Sequence, residues 1–178
     1  MRNRLVAGQT GFSIVETVVA LALMIILIMA AIPFVLDSVS ALQLSGDAQN
    51  IASELQLAKF KASSQSTPFR VAFDIPAHTF TLQKLVGQSY HDEGGPIALA
   101  STSLYIKTPA SVPSGAPSTM SSNIRFNSHG MPIDNNGAPT ANNGIYLGLS
   151  SNASCAIIVP ISGRVQIWWF DGSQWSMP

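Results

Sequence analysis

Residues 18–36 read VVALALMIILIMAAIPFVL, and this stretch decides how the rest of the chain is interpreted. It contains no charged and no strongly polar side chain. As an α-helix it would be roughly 28 Å long, close to the thickness of about 30 Å of a bilayer's hydrocarbon core. A core helix of a soluble protein has a polar face, whereas this one is apolar on every side. The stretch therefore predicts a membrane span, an uncleaved signal anchor or the hydrophobic region of a cleaved signal peptide.

A cleaved secretory signal is the alternative to a retained membrane helix. Such a signal has its cleavage site, formed by small residues, after the apolar run. Met29, Ala30 and Ala31 imitate that site poorly, and the helical pattern continues through them. Because cleavage there would divide a helix, we favour the retained helix.

The charged residues on either side of the apolar run predict its orientation. Arg2 and Arg4 precede the run, whereas Asp37 and Asp47 are the first charged residues after it. Arginine is enriched on the cytoplasmic side of membrane spans. We therefore expect a single-pass helix with a cytoplasmic N-terminus and an extracytoplasmic C-terminal domain.

Glu16 lies two residues before the apolar run and four residues after Phe12. An isolated ionised carboxylate inside a bilayer costs at least about 2.5–3.5 kcal/mol, so it needs a partner. One interpretation places the carboxylate at the headgroup level, where it is solvated and has no role. The other is that it neutralises a buried amine on a neighbouring subunit. Its spacing from the glycine–aromatic junction at Gly11 favours the second interpretation.

Residues 11–16, GFSIVE, followed by the apolar run, resemble the processing motif of type IV prepilins and type II secretion pseudopilins. The resemblance implies that a prepilin peptidase removes a short basic leader, residues 1–11, by cutting between Gly11 and Phe12. It further implies that Phe12 becomes N-methylated. Glu16 would then guide docking into the growing filament.

Pro33 falls where this family commonly places a helix-bending proline, so the resemblance implies a part for it in assembly. The physical effect of this residue can be stated independently. A proline removes one backbone donor and clashes with the carbonyl four residues earlier, here that of Met29. We therefore expect the helix to kink or melt locally at this position.

Two segments near the C-terminus extend the resemblance. Residues 124–132, IRFNSHGMP, resemble the F-x-x-x-G-x-P strand–turn element of the GspH/FimT-type minor pilins and pseudopilins. Residues 161–165, ISGRV, resemble the late G-R-V strand of the same proteins. The resemblance implies a pilin-like fold whose partners are prepilin peptidase, the inner membrane and other pilins or pseudopilins reached through the N-terminal helix.

The apolar run is expected to continue as an amphipathic helix over residues 37–66. Apolar residues recur there at helical spacing and form one stripe: Leu44, Ala48, Ile51, Leu55, Ala58 and Ala62. Polar residues cluster on an adjoining face: Asp47, Asn50, Glu54 and Lys61. Pro68 disfavours a helical conformation at Thr67 and so ends the helix.

From residue 67 onward the periodicity changes to two, and turn-rich segments separate the runs. Strands are predicted over residues 69–75, 79–86, 103–107, 123–127, 144–150, 155–161 and 164–170. Many short strands without intervening helices predict an antiparallel sandwich packed on the helix stripe. The expected fold class is therefore α+β.

The sequence contains no pattern that indicates a catalytic, metal-binding or redox site. His78, His91 and His129 are scattered, and none pairs with another ligand at a metal-binding spacing. Motifs of nucleotide binding, hydrolysis and thiol redox chemistry are absent from the sequence. Cys155 opens an apolar run without basic neighbours, which favours a small buried hydrophobe over a reactive thiol. We expect no catalytic residue, metal or cofactor.

DNA uptake is the main alternative function, because some relatives in pilus systems take part in it. Arg164, in the G-R-V segment, is the candidate contact, but the residue two positions further is Gln166 rather than a basic one. Residues 67–178 contain equal numbers of basic and acidic side chains, so the counterion-release contribution to DNA affinity is missing. Nucleic-acid binding is therefore disfavoured.

Three tryptophans lie close to the C-terminus: Trp168, Trp169 and Trp175. In a strand, Trp168 and Trp169 face opposite ways. One interpretation is a central strand that is covered on both faces. The other is an exposed aromatic patch that binds a partner, since aromatic residues are enriched at interface hot spots.

The sequence thus predicts four segments in chain order: a leader (1–11), a transmembrane and assembly helix (12–36), its amphipathic continuation (37–66) and a β-rich periplasmic domain (67–178). We expect a non-enzymatic minor pilin or pseudopilin near the tip of a type II secretion pseudopilus or type IV pilus, first inserted in the bacterial inner membrane. The alternatives are a pilus-borne DNA-uptake protein and a plain single-pass membrane protein with a periplasmic binding module.

Overall fold

The computed structural model describes residues 13–149 and 154–177. The predicted leader, which ends at Gly11, and the predicted mature N-terminus Phe12 lie outside the described residues. The chain divides into two compact units, Met1–Val39 and Ser40–Pro178. The elements in chain order are α1 (Ile14–Ser64), β1 (Phe69–Asp74), β2 (Thr79–Val86), β3 (Ser89–Asp92), β4 (Ile97–Ala98), β5 (Leu104–Tyr105), β6 (Asn123–Phe126), β7 (Pro132–Ile133), β8 (Asn143–Gly148), β9 (Cys155–Val159), β10 (Gln166–Phe170) and β11 (Trp175–Ser176).

The first unit is described from Ser13 onward and consists of the N-terminal part of α1. Ser13 caps the helix, because its Oγ accepts a hydrogen bond from the amide of Val15 at 3.3 Å. Its carbonyl accepts the amide of Thr17 at 3.1 Å and so starts the helical ladder. The backbone remains helical through Pro33, so the local melting that we considered there is not observed.

The second unit contains two antiparallel sheets. The first has six strands in the order β3-β2-β1-β6-β7, and β4 also pairs with β2. The other has five strands in the order β11-β10-β9-β8-β5. Each strand pair in both sheets is antiparallel. The predicted α+β fold with an antiparallel sandwich is therefore confirmed.

The stripe predicted on the second half of α1 forms one side of the core. All six of its side chains are buried, with exposures of 3% or less: Leu44, Ala48, Ile51, Leu55, Ala58 and Ala62. They belong to the same hydrophobic cluster as Phe69 of β1, Phe126 of β6 and Ile157 of β9. Three of the six are alanines, whose small side chains let the helix backbone lie close to the strands.

The sheets differ in how their faces are covered. In β1 and β6 buried and partly exposed residues alternate, so one face meets the core and the other faces outward. In β8 and β9 each residue is buried, which requires cover on both faces. This difference leaves the outer face of the six-stranded sheet open to solvent and partners.

The predicted strands occur at their expected places, with ends trimmed by one or more residues in most of them. The prediction missed four short strands, β3, β4, β7 and β11. Each has only two to four residues and lies among glycine, proline and polar residues. Segments this short carry no readable periodicity, and pairing with a neighbouring strand defines them.

Candidate assembly helix and motif junction

The apolar side chains of the first unit are exposed along the helix. From Ile14 to Leu36 the large ones are between 50% and 82% exposed. By length and composition α1 is able to cross a membrane. An apolar surface of this extent is stable only against lipid or against other apolar helices.

Glu16 lies in the first turn of α1, and its side chain is exposed. Helix N-termini carry a partial positive charge, so a carboxylate is favourable there even without a further role. Ser13 and Glu16 also have the spacing of a capping box, in which the acidic side chain would reach back to the backbone amide of the serine. Within the described residues the Glu16 carboxylate makes no such bond and no ion pair. It is therefore available to a group outside them.

The two C-terminal motifs meet on α1 at a cluster that we call the motif junction: Lys59, Gly130 and Gly163. Both glycines have positive φ, +74° and +69°, which side chains other than glycine rarely tolerate. Lys59 Nζ donates a hydrogen bond to the carbonyl oxygen of Gly163 at 2.9 Å. A Cβ on Gly163 would lie 3.1 Å from the carbonyl oxygen of Gly130, and one on Gly130 would lie 3.2 Å from Lys59 Cγ. The glycines are therefore required for close packing as well as for turning.

Arg164 lies beside the motif junction and is exposed. It lines an open groove of about 490 Å³ together with Lys59 and Phe60, and the Phe60 side chain is 67% exposed. The sequence did not indicate Lys59, because nothing local links a helix residue to a glycine 104 positions away. The structure thus places a second cationic side chain, that of Lys59, in the same groove as Arg164, the residue considered for nucleic-acid contact.

Asp47 corrects one detail of the predicted helix surface. We placed it on the polar face that adjoins the stripe, and the structure shows that it is only 7% exposed. Its Oδ2 accepts a hydrogen bond from the backbone amide of Ala100 at 3.0 Å. The neighbouring Leu99 is buried in the core, so the segment before β5 covers this part of the helix. A buried carboxylate satisfied by a backbone amide links α1 to that segment.

The C-terminal tryptophans fit neither interpretation fully. β10 is paired on both edges, by β9 and β11, but Trp168, Trp169 and Trp175 are all only partly buried. They pack against the margin of the core. Trp175 Nε1 donates to Ser111 Oγ at 3.1 Å, and its ring lies 5.1 Å from that of Phe170. The three tryptophans therefore lie on β10 and β11, the two outermost strands at one edge of the five-stranded sheet.

Cys155 is fully buried in β9, as we predicted. Burial raises the pKa of its thiol to about 12, because the apolar surroundings disfavour the thiolate. In residues 13–149 and 154–177, no group of three or more His, Cys, Asp or Glu side chains is placed to hold a metal ion.

Comparison with known proteins gives matches in structure alone. No family model and no curated protein matches the sequence. Two solved structures of the minor pseudopilin EpsH from the type 2 secretion system of Vibrio cholerae match with TM-scores of 0.50 and 0.51. Each is 12% identical to this chain, and each match covers 74% of this chain. The matches cover 99% and 97% of the two EpsH chains, respectively. At this identity the likeness concerns the fold, and the chain therefore has the α+β, pilin-like fold of a minor pseudopilin.

Proposed function

We propose that this protein is a minor pilin or pseudopilin, a structural subunit without enzymatic activity. It would assemble through its N-terminal helix into a type II secretion pseudopilus or a type IV pilus. One observation carries the proposal: a domain of pseudopilin fold follows a helix whose large aliphatic and aromatic side chains stay at least 50% exposed between Ile14 and Leu36. Such a helix needs lipid before assembly and neighbouring apolar helices after it.

Processing by prepilin peptidase would produce the assembly-competent subunit. We propose that the enzyme removes residues 1–11, and that the new N-terminus at Phe12 is methylated. Before cleavage the chain would cross the inner membrane once, with Arg2 and Arg4 on the cytoplasmic side and the domain in the periplasm. We further propose that the subunit occupies a position at or near the filament tip.

Glu16 would bind the amine of an adjacent subunit. Phe12 and Glu16 are four positions apart, about one helical turn. A neighbouring helix displaced along the filament axis would therefore bring its own terminal amine to this carboxylate. In a dry helix bundle each charge alone carries a desolvation penalty of several kcal/mol, whereas the pair compensates it. Pro33 would adjust the course of the helix in the same bundle.

The test compares Glu16→Ala and Glu16→Asp with Asp37→Ala as the matched control. Asp37 is also an exposed carboxylate of α1, but it follows the apolar run. Mass spectrometry should show that each variant is processed to a methylated Phe12. Crosslinking to partner pilins in membranes should be lost in Glu16→Ala, reduced in Glu16→Asp and normal in Asp37→Ala. Wild-type crosslinking of processed Glu16→Ala would refute the pairing, and a mature chain that begins elsewhere would refute the processing.

DNA uptake is the second candidate, because Lys59 and Arg164 line one groove. If it is correct, the protein binds DNA with an affinity that falls as salt rises. Arg164→Ala should then reduce the slope of that salt dependence by about 1. Absence of DNA binding at low salt would eliminate this candidate and leave the assembly function untouched.

A further inference from the structure

The outer face of the six-stranded sheet holds two arginines against one tyrosine ring. Arg70 of β1 and Arg125 of β6 lie directly opposite each other in the strand register. Their guanidinium carbons are 4.1 Å and 5.4 Å from the centre of the Tyr90 ring. The neighbouring residues Phe69 and Phe126 are buried in the core, so alternation places both arginines on the opposite face. We call these two residues the arginine pair.

Each guanidinium group is held in position by a hydrogen bond from its Nε to a neighbouring side chain. Arg70 Nε donates to Gln83 Oε1 at 2.6 Å, and Arg125 Nε donates to Asn123 Oδ1 at 2.9 Å. Each side chain is thereby fixed by one hydrogen bond and by its contact with the tyrosine ring. The terminal nitrogens of both groups make no hydrogen bond within the described residues. A fixed guanidinium with open terminal donors is arranged to bind a carboxylate with little loss of entropy.

The charge of the arginine pair is only partly compensated within the sheet. Like charges directly opposite each other in neighbouring strands are destabilising. Burial lowers the pKa of Arg70 and the adjacent Arg125 lowers it further, whereas Tyr90 and Asp92 partly oppose this shift. The carboxylate of Asp92 is nearby and attracts Arg70, but its Oδ1 accepts its hydrogen bond from Gln83 Nε2 at 2.7 Å rather than from an arginine. Neither arginine forms a salt bridge within the described residues. An external anion would therefore relieve the part of this repulsion that Tyr90 and Asp92 leave in place.

Tyr90 and Arg125 line an open groove of about 440 Å³, and Arg70 lies beside Arg125 without lining the groove itself. Its lining includes the apolar side chains of Pro68, Leu85 and Ile133. A ligand that fits combines a carboxylate for the arginines with an apolar group for the groove.

One acidic residue also lines this groove. Asp134 Oδ1 accepts hydrogen bonds from the amides of Asn136 and Ala138 at 2.8 Å and 2.9 Å. These bonds hold the turn after β7. The negative charge of Asp134 disfavours a polyanion more strongly than a ligand with isolated carboxylates.

We propose that the arginine pair and this groove bind an acidic segment of a partner protein, in which aspartate or glutamate alternates with apolar residues. A strand-like segment with this pattern would present its carboxylates and its apolar side chains at regular intervals. A nucleic acid fits less well, because the chain has no net charge to attract a polyanion and the groove is partly apolar. The proposal does not depend on the assembly function of the N-terminal helix.

The test uses the full-length protein in detergent micelles and two peptides, acetyl-Leu-Glu-Leu-Glu-Leu-amide and its glutamine counterpart. Binding is followed by the NMR signals of the arginine Nε–H groups. The acidic peptide should shift the signals of Arg70 and Arg125, and the glutamine peptide should bind about tenfold more weakly, because hydrogen bonds between charged groups are the stronger ones. Arg125→Gln should lose the preference for the acidic peptide.

Two further variants keep the test decisive. Arg125→Lys retains the charge but not the planar donor geometry, so it should recover binding only in part. Arg164→Gln removes an exposed arginine elsewhere in the same unit and should change nothing. Equal binding of both peptides, or unchanged binding by a folded Arg125→Gln variant, would overturn the proposal. A stronger response to inorganic phosphate or to a single-stranded oligonucleotide would also overturn it, and would indicate a general anion site.

Discussion

Removing the side chain of Leu55 tests the packing of α1 on the sheets. Leu55 is fully buried in the centre of the stripe, whereas Leu57 is 39% exposed on the same helix. Leu→Ala changes at buried sites cost about 2.7–5.0 kcal/mol, depending on the cavity that remains. The stripe neighbours Ile51 and Ala58 are also fully buried. Because a packed core relaxes only partly, we expect Leu55→Ala to cost about 3–4 kcal/mol.

Leu57→Ala is the matched control, because the two substitutions change helix propensity equally. It should cost below about 1 kcal/mol, since much of that side chain is already in water. The difference between the two variants therefore isolates burial against the sheets. For a domain whose total stability is about 5–15 kcal/mol, the Leu55 substitution removes a large share.

The measurement is urea unfolding of the fragment Ser40–Pro178, which omits the apolar part of the helix. We expect this fragment to be a soluble monomer. With a denaturant dependence of about 2 kcal/mol per M, the Leu55→Ala midpoint should fall by about 1.5–2 M. Equal midpoints for the two leucine variants would refute the packing of the stripe.

Two further predictions concern the motif junction and the buried thiol. Gly130→Ala should cost about 1–3 kcal/mol, because it combines a positive φ with a close contact to Lys59. Gly115→Ala is its control in the same unfolding assay, since φ there is +79° but a Cβ meets no atom within 4 Å; equal costs would show that the contact is irrelevant. Cys155 should resist thiol reagents in the native state up to about pH 10, because burial raises its pKa to about 12. Since its unfolded pKa is about 8.5, stability should decline as pH rises from there toward 12, and rapid native labelling at pH 8 would contradict the burial.

The parts of the fold that depend on local periodicity followed from the sequence. Each of the six predicted stripe residues is buried, because residues three and four apart on a helix necessarily share a face. The longer strands were also predicted, since alternation over five or more residues distinguishes a strand from a loop. The apolar stretch needs no tertiary context either, because nineteen consecutive apolar residues (18–36) leave a helix no polar face.

The candidate sites required different information. Lys59 meets Gly163, and Asp47 meets Ala100, only because distant segments are packed together. The sequence marked the two glycine motifs separately, but nothing in it showed that both turns contact one lysine.

The arginine pair depends on strand register in the same way. Arg70 faces Arg125 across β1 and β6, and both contact Tyr90, which lies on β3, a strand that the sequence did not reveal. A shift of one residue in either pairing would turn one arginine toward the core. The sequence by itself determined the apolar helix, its buried stripe and the longer strands, since these depend on neighbours along the chain. Only the tertiary structure decided which side chains share a surface, because that depends on register and packing between segments far apart in the chain.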